Sequence, residues 1–375
     1  MAGIYIHIPF CKKACFYCDF HFSVSFQQKD EVVASLIKEL KERKNFIGQE
    51  EVKTIYFGGG TPSVLNAGNI SEILKEAYAQ YTVNDNAEIT FECNPDDLSK
   101  EYLVGLKESG VNRLSIGIQS LNDESLTWMN RSHNVTQALQ AIDSAAALGF
   151  RDMSIDLIYG IPMLTEDEWR QTLKRALAMP VNHLSAYSLT LEENTPYNKL
   201  VQQKKYKKPN DDEASRHFEI LLEEIKLAGW ENYEVSNFCK AGNYSKHNTA
   251  YWQNVKYLGI GPSAHSFDGK SRHWNVRSNK EYIQKIQAGE SVSESEELST
   301  KDIVNEALLT GLRTKWGVNL AEVMEQYEYD IAATNQTQIM EWQQKDWLEM
   351  KDGVLRLRAD GFLFADYIAS ELFVL

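Results

Sequence analysis

The chain has 375 residues, 43% of them hydrophobic, with 21 glycines against 8 prolines. That is enough apolar material for one large α/β unit plus a smaller domain, and it excludes a disordered or collagen-like chain. Its 39 Lys and Arg face 53 Asp and Glu, a net charge of −14 that opposes a grip on nucleic acid, whose affinity rests on neutralised phosphates.

Ile4-Tyr5-Ile6-His7-Ile8 alternates strictly and predicts a strand, followed by a helix over 30–44. Further strands are predicted at Val52 to Phe57, Ala87 to Glu92, Arg113 to Ile118, Met153 to Ile158 and His183 to Leu189, each separated by room for a helix. Six β/α units imply parallel strands with right-handed crossovers, so residues 1–190 are expected to form a partial (β/α)6 barrel with its sites at strand C-terminal ends.

The alternation stops in an extension over 191–297, where Lys199, Lys204, Lys205, Lys207 and Lys208 precede a helix over 212–227. These lysines read either as a solvated loop or as a patch for an acidic partner, an anionic lipid surface or ligand carboxylates. Residues 298–375 read as two helices and a hairpin around Lys351-Asp352-Gly353, with Leu348, Met350, Val354 and Leu357 as apolar strand positions, in the manner of a winged helix. Thr300 to Leu375 holds 7 basic and 13 acidic side chains, a balance that favours packing or partner docking over DNA. No apolar run approaches the ~20 residues that span a bilayer, and the amino terminus lacks a secretory signal, so the expected compartment is the cytoplasm.

Five cysteines at this length do not make a disulfide scaffold, but Cys11, Cys15 and Cys18 form a compact C-x3-C-x2-C loop directly after the first strand. Such a loop can wrap three thiolates around one face of an iron-sulfur cubane and leave its fourth iron open. Zinc with His7 or His21 as a fourth ligand, and a thioredoxin-type pair at Cys15 and Cys18, are the alternatives. Cys93 and Cys239 stand alone and read as buried thiols. Gly58-Gly59-Gly60-Thr61-Pro62 follows a strand and opens a helix, as a tight β/α turn or as bare backbone beside a ligand. Glu92, Gln119 and Asp156 each end a strand, with Arg131 downstream; they are solvated termini or a polar ring around one ligand.

The segment from Tyr5 through Cys18 resembles the cluster motif of radical S-adenosylmethionine (SAM) proteins. Within that superfamily it is similar to the branch of oxygen-independent coproporphyrinogen III oxidase and the HemW haem chaperones, in which a tyrosine, here Tyr17, follows the second cysteine by two positions. The similarity runs over nearly the whole chain. It implies a 4Fe-4S cluster on Cys11, Cys15 and Cys18. It also implies SAM contacts from Tyr5, Tyr17, Gly59, Gly60, Thr61, Glu92, Gln119, Arg131 and Asp156. The implied chemistry is one-electron cleavage of SAM to methionine and a 5'-deoxyadenosyl radical, fed by a small electron-transfer donor.

Two departures set the chain apart from the oxidases. Phe20 stands where they carry an additional cysteine, and Cys11 comes too early to leave room for their amino-terminal extension. His247-Asn248-Thr249-Ala250-Tyr251-Trp252 matches the H-N-x-x-Y-W signature associated with haem binding in the chaperones, although from the residues alone such a histidine is more often an ordinary packed surface histidine. The resemblance implies His247 as the axial haem ligand, with His265 in Gly259 to Ser266 as the second choice. The expected function is that of a haem chaperone delivering haem to acceptor haem proteins of respiratory membranes, with local contact to the inner membrane face. Oxidative decarboxylation of coproporphyrinogen III, or another radical reaction on a tetrapyrrole, is the alternative. Enzymatic turnover and oligomeric state, a homodimer included, stay open.

Overall fold

A computed structural model describes residues 1–374. Strands β1 (Ala2–Ile8), β2 (Val52–Gly59), β3 (Val83–Cys93), β4 (Arg113–Gln119), β5 (Asp152–Tyr159) and β6 (His183–Ser188) pair in parallel and in chain order. All six lie where the apolar runs predicted them. Helices α1 (Lys29–Glu42), α2 (Ala67–Gln80), α3 (Lys100–Glu108), α4 (Asp123–Trp128), α5 (Val135–Ala147) and α6 (Glu166–Leu177) fill the crossovers. Their starts are set locally: Asn66, Ser99 and Asn122 cap α2, α3 and α4, while Asn134 with Gln137 and Thr165 with Glu168 form capping boxes on α5 and α6.

Strand alternation separates two environments. In β1, Ile4, Ile6 and Ile8 are buried in the same core as Val33, Leu36 and Leu40 of α1, whereas Tyr5 and His7 line a cavity. In β4, β5 and β6 the inward positions carry Arg113, Ser115, Gln119, Ser154, Asp156, His183 and Ser185. The outer layer is therefore an apolar seam under the helices, and the inner face is polar.

The sheet does not close. Helices α7 (Pro196–Gln202) and α8 (Asp211–Leu227) follow β6. Strands β7 (Glu231–Asn232) and β8 (Asn237–Cys239) then add antiparallel beside β6. After α9 (Lys246–Trp252), strand β9 (Lys256–Ile260) pairs in parallel with the far side of β1. Antiparallel β10 (His265–Phe267), β11 (Ser271–Asn275) and β12 (Ser293–Glu297) continue the sheet outward to twelve strands. The expected partial barrel is present, extended at both edges. Helix α10 (Asn279–Ala288) packs on α1.

From α11 (Thr300–Leu312) onward the chain is helical apart from a three-stranded sheet of β13 (Val318–Asn319), β14 (Leu348–Lys351) and β15 (Val354–Leu357). The predicted hairpin forms, with positive φ at Asp352 (53°) and Gly353 (76°) as a two-residue turn requires. Its apolar face is Leu348, Leu355 and Leu357, whereas Met350 is exposed. No helix of the described residues is long and apolar enough to cross a membrane.

Candidate functional site

The cysteine loop is held in place mostly by backbone contacts. Cys11 N–H donates to Ser23 O (3.0 Å), Phe16 N–H to Met129 O (3.1 Å), and Asn130 Nδ2 to Ala14 O (2.7 Å). The glycine turn presses against it. A Cβ on Gly60 would stand 2.8 Å from Phe10 O, and one on Gly59, whose φ is 106°, would stand 2.5 Å from the His7 ring. Gly60 N–H and Thr61 N–H donate to Ile8 O and Phe10 O at 2.9 and 2.8 Å, so this turn clamps the start of the loop.

The three thiols open into one cavity of about 470 Å3. Tyr17, Gly59, Gly60, Thr61, Glu92, Gln119, Arg131 and Asp156 all line the same space. Eight separate predictions, drawn from six different chain segments, thus meet around the cysteines. The donor set fits an iron-sulfur cubane, since three soft ligands share one wall. Zinc loses its candidate fourth ligand. His7 Nδ1 bonds Tyr5 OH (3.1 Å) and its Nε2 bonds His21 O (3.0 Å), His21 Nε2 bonds Asn279 Oδ1 (2.8 Å), and both rings line a different cavity. No group of His, Cys, Asp or Glu among the described residues converges on a single ion.

Arg131 organises the cavity wall. Nη1 reaches Cys15 Sγ (3.3 Å) and Tyr17 Oη (3.4 Å), while Nη2 donates to Asn94 Oδ1 (2.7 Å) and Gly117 O (2.8 Å). Its Nε is buried with no acceptor, as is Nη2 of Arg113, which lines the same cavity and whose Nε is ion-paired with Asp152 Oδ1 at 3.4 Å. An anionic ligand atom would supply one. Thr61 Oγ1 donates to Cys11 Sγ at 3.3 Å. Burial pushes the Cys11 thiol up to about 11 and the Cys18 thiol up to about 12, so bound cationic metal is needed to hold them as thiolates near neutrality. Burial also pushes the Glu92 carboxyl up to about 8, and the Asp156 carboxyl up to about 6. Tyr56 donates to Glu92 Oε1 at 2.7 Å, which partly offsets its shift.

Sequence reading missed Arg113, Ser115, Ser154, His183, Ser185, Tyr187 and Asn94, which complete this wall. A signal for most of them was there: polar residues recur at every second position of β4, β5 and β6, the period of an inward face.

Two expected ligand residues lie elsewhere. His247 is only 2% exposed, sits at the start of α9, and has both ring nitrogens engaged, Nδ1 with Thr54 Oγ1 (2.8 Å) and Nε2 with Tyr251 Oη (2.9 Å). Its ring stacks on Tyr56 at 4.9 Å, and burial pushes its pKa down to about 3. The α9 start is fixed by Lys246 and His247 N–H groups donating to the Glu88 carboxylate (3.0 and 3.1 Å). Tyr5 bonds His7 and lines, with Tyr251 and His265, a second cavity of about 550 Å3 that shares the rim residues Asp19 and Phe20 with the thiol cavity. Cys93 and Cys239 are buried, as expected.

The chain is similar in sequence and fold to known proteins. The family model of the radical SAM superfamily matches residues 5–176, and that of the HemN C-terminal domain matches residues 298–364. The heme chaperone HemW of Bacillus subtilis is 36% identical over 330 residues, 87% of each chain. The chain belongs to the HemW family of radical SAM proteins. Another relative of similar reach is the mouse radical S-adenosyl methionine domain-containing protein 1, mitochondrial, 32% identical over 98% of this chain and 82% of that one. Among solved structures, coproporphyrinogen III oxidase (HemN) from Escherichia coli, a radical SAM enzyme, superposes with a TM-score of 0.86 over 100% of this chain and 90% of that chain. At 23% identity this is a likeness of fold. Membership in the HemW family gives the protein a 4Fe-4S cluster and SAM as cofactors.

Proposed function

We propose that the protein is a haem chaperone that holds a 4Fe-4S cluster on Cys11, Cys15 and Cys18, binds SAM along the wall from Gly59 to Asp156, and passes haem to acceptor haem proteins of respiratory membranes. The observation that carries this reading is the pair of neighbouring cavities that share Asp19 and Phe20 in their linings, one lined by the thiols and the other by aromatic, histidine and arginine side chains. When bound, cluster and SAM supply one-electron cleavage of a sulfonium carbon-sulfur bond. The chain's own contribution is positional. Arg131 orients Cys15 and Tyr17, Thr61 holds Cys11, and the glycine turn keeps the loop against β1.

The test is anaerobic reconstitution with iron, sulfide and SAM, followed by haem titration and by incubation with coproporphyrinogen III. Stoichiometric haem binding without release of carbon dioxide is the expected result; turnover to protoporphyrinogen overturns it in favour of the oxidase reading. Cys11→Ser, Cys15→Ser and Cys18→Ser are each expected to lose nearly all bound iron and sulfide. Retention of the full complement in any one of them would remove that cysteine from the ligand set.

Membrane contact is assigned to the lysines. All five side chains from Lys199 to Lys208 are exposed and make no ion pair among the described residues. Their segment is anchored to the cluster loop, with Tyr197 N–H donating to Phe16 O at 2.8 Å and Tyr206 stacked on Trp128 at 4.9 Å. Each lysine near an anionic surface contributes about 1 kcal/mol. Changing all five to glutamine is expected to cut sedimentation with phosphatidylglycerol vesicles by at least about tenfold; an unchanged bound fraction would discard the patch as the contact.

A further inference from the structure

The second cavity contains a histidine unlike the others. Seven of the chain's 8 histidines have a hydrogen-bonded ring nitrogen: His7, His21, His133, His183, His217, His247 and His273. His265 is exposed to the cavity and has no side-chain hydrogen bond among the described residues. A free imidazole nitrogen is what an axial iron ligand must offer.

Its mount is rigid. The turn before β10 uses left-handed backbone at Gly261 (φ 107°) and Ser263 (φ 63°). The buried Glu39 carboxylate holds that turn from beneath, accepting from Gly261 N–H (2.8 Å), Asn275 Nδ2 (2.8 Å) and Tyr282 Oη (2.6 Å). The imidazole therefore stands on a braced strand end, as a preorganised ligand requires.

The surroundings suit a large, flat, anionic aromatic ligand. At about 550 Å3 the cavity lies within the roughly 300–1,000 Å3 of ligand sites. Tyr251 and Trp252 from α9 and Tyr257 from β9 supply ring surface. Two guanidinium groups face the space. Arg272 is committed to Glu306 through Nε (2.7 Å) and Nη2 (2.8 Å), whereas Arg277 is exposed with no carboxylate partner among the described residues. His247 touches this wall indirectly, through its bond to Tyr251 Oη.

We propose that His265 is the axial ligand to haem in this cavity, that Arg277 meets a haem propionate, and that His247 is a positioning residue that fixes Tyr251. The inference rests on the haem-carrying reading above and specifies where the cargo sits. It makes the H-N-x-x-Y-W helix a wall of the pocket, with Tyr251 and Trp252 as its contact residues.

The full-length protein is titrated anaerobically with haemin, read by visible absorption and electron paramagnetic resonance. The expected wild-type signature is imidazole ligation. His265→Ala is expected to lose that signature and weaken binding by about a hundredfold, with added imidazole restoring the spectrum. His265→Met is expected to keep haem with a thioether-type spectrum. His247→Ala should keep the imidazole signature at several-fold lower affinity. An unaltered spectrum in His265→Ala, or loss of imidazole ligation in His247→Ala alone, overturns the assignment while leaving the chaperone reading intact. A wild-type protein that binds no haem overturns both.

Discussion

Arg131→Ala is expected to abolish reconstitution of the cluster and to lower the melting temperature of the cofactor-free protein, while Arg131→Lys recovers only part of either. The side chain ties together Cys15, Tyr17, Asn94 and Gly117, which come from the cysteine loop, the end of β3 and the end of β4. A planar fork can serve these acceptors at once, and a single ammonium cannot. Alanine would leave Asn94 Oδ1 and Gly117 O buried without donors, at a cost of about 1–3 kcal/mol each, and would release the restraint on Cys15. Iron and sulfide per chain after reconstitution, with a thermal melt of the cofactor-free variant, separate the two effects. A variant with full iron content would show that the loop orders itself without Arg131. A variant with normal melting but no iron would confine the side chain to ligand placement.

Most of the barrel was legible because each parallel strand turns regularly spaced apolar residues toward the helices, and the starts of α2 to α6 carry their own side-chain caps. The cluster cavity was legible because its members lie at strand ends and in one compact cysteine loop. Less legible was the outward growth of the sheet past β1: β9 to β12 are short, largely polar on their exposed side, and paired mainly with each other and with β1 across the chain, so no local period announces them. His247 shows a different limit. A histidine with neighbouring tyrosine and tryptophan has the same sequence whether its ring faces a ligand or a threonine, and here the ring nitrogens meet Thr54, nearly two hundred positions away, and Tyr251. His265 carried little weight in the sequence because its distinguishing property is the absence of a partner, which only the folded chain reveals.

Glu92 is expected to give the protein a pH-dependent stability and a proton-linked affinity for SAM. Burial raises its pKa from the ordinary 4.5 to about 8, so the folded cofactor-free protein favours the neutral acid. Such a group contributes stability that is fully present below about 4.5 and is lost as pH rises through about 8. Asp156 acts in the same sense between 3.8 and about 6. Denaturant unfolding of the cofactor-free protein should therefore show decreasing stability from mildly acid to alkaline pH, and Glu92→Gln should flatten the upper part of that slope. A cationic ligand in the cavity reverses the preference, because the carboxylate then gains a partner. Glu92 would give up its proton as SAM, a sulfonium, enters. Calorimetry near neutral pH in two buffers of different ionisation heat should then detect the release of about one proton per SAM bound in the wild-type holoprotein and close to none in Glu92→Gln. Equal proton release in both proteins would place the SAM cation away from Glu92, and an unchanged unfolding slope in Glu92→Gln would show that the carboxyl is already ionised in the empty cavity.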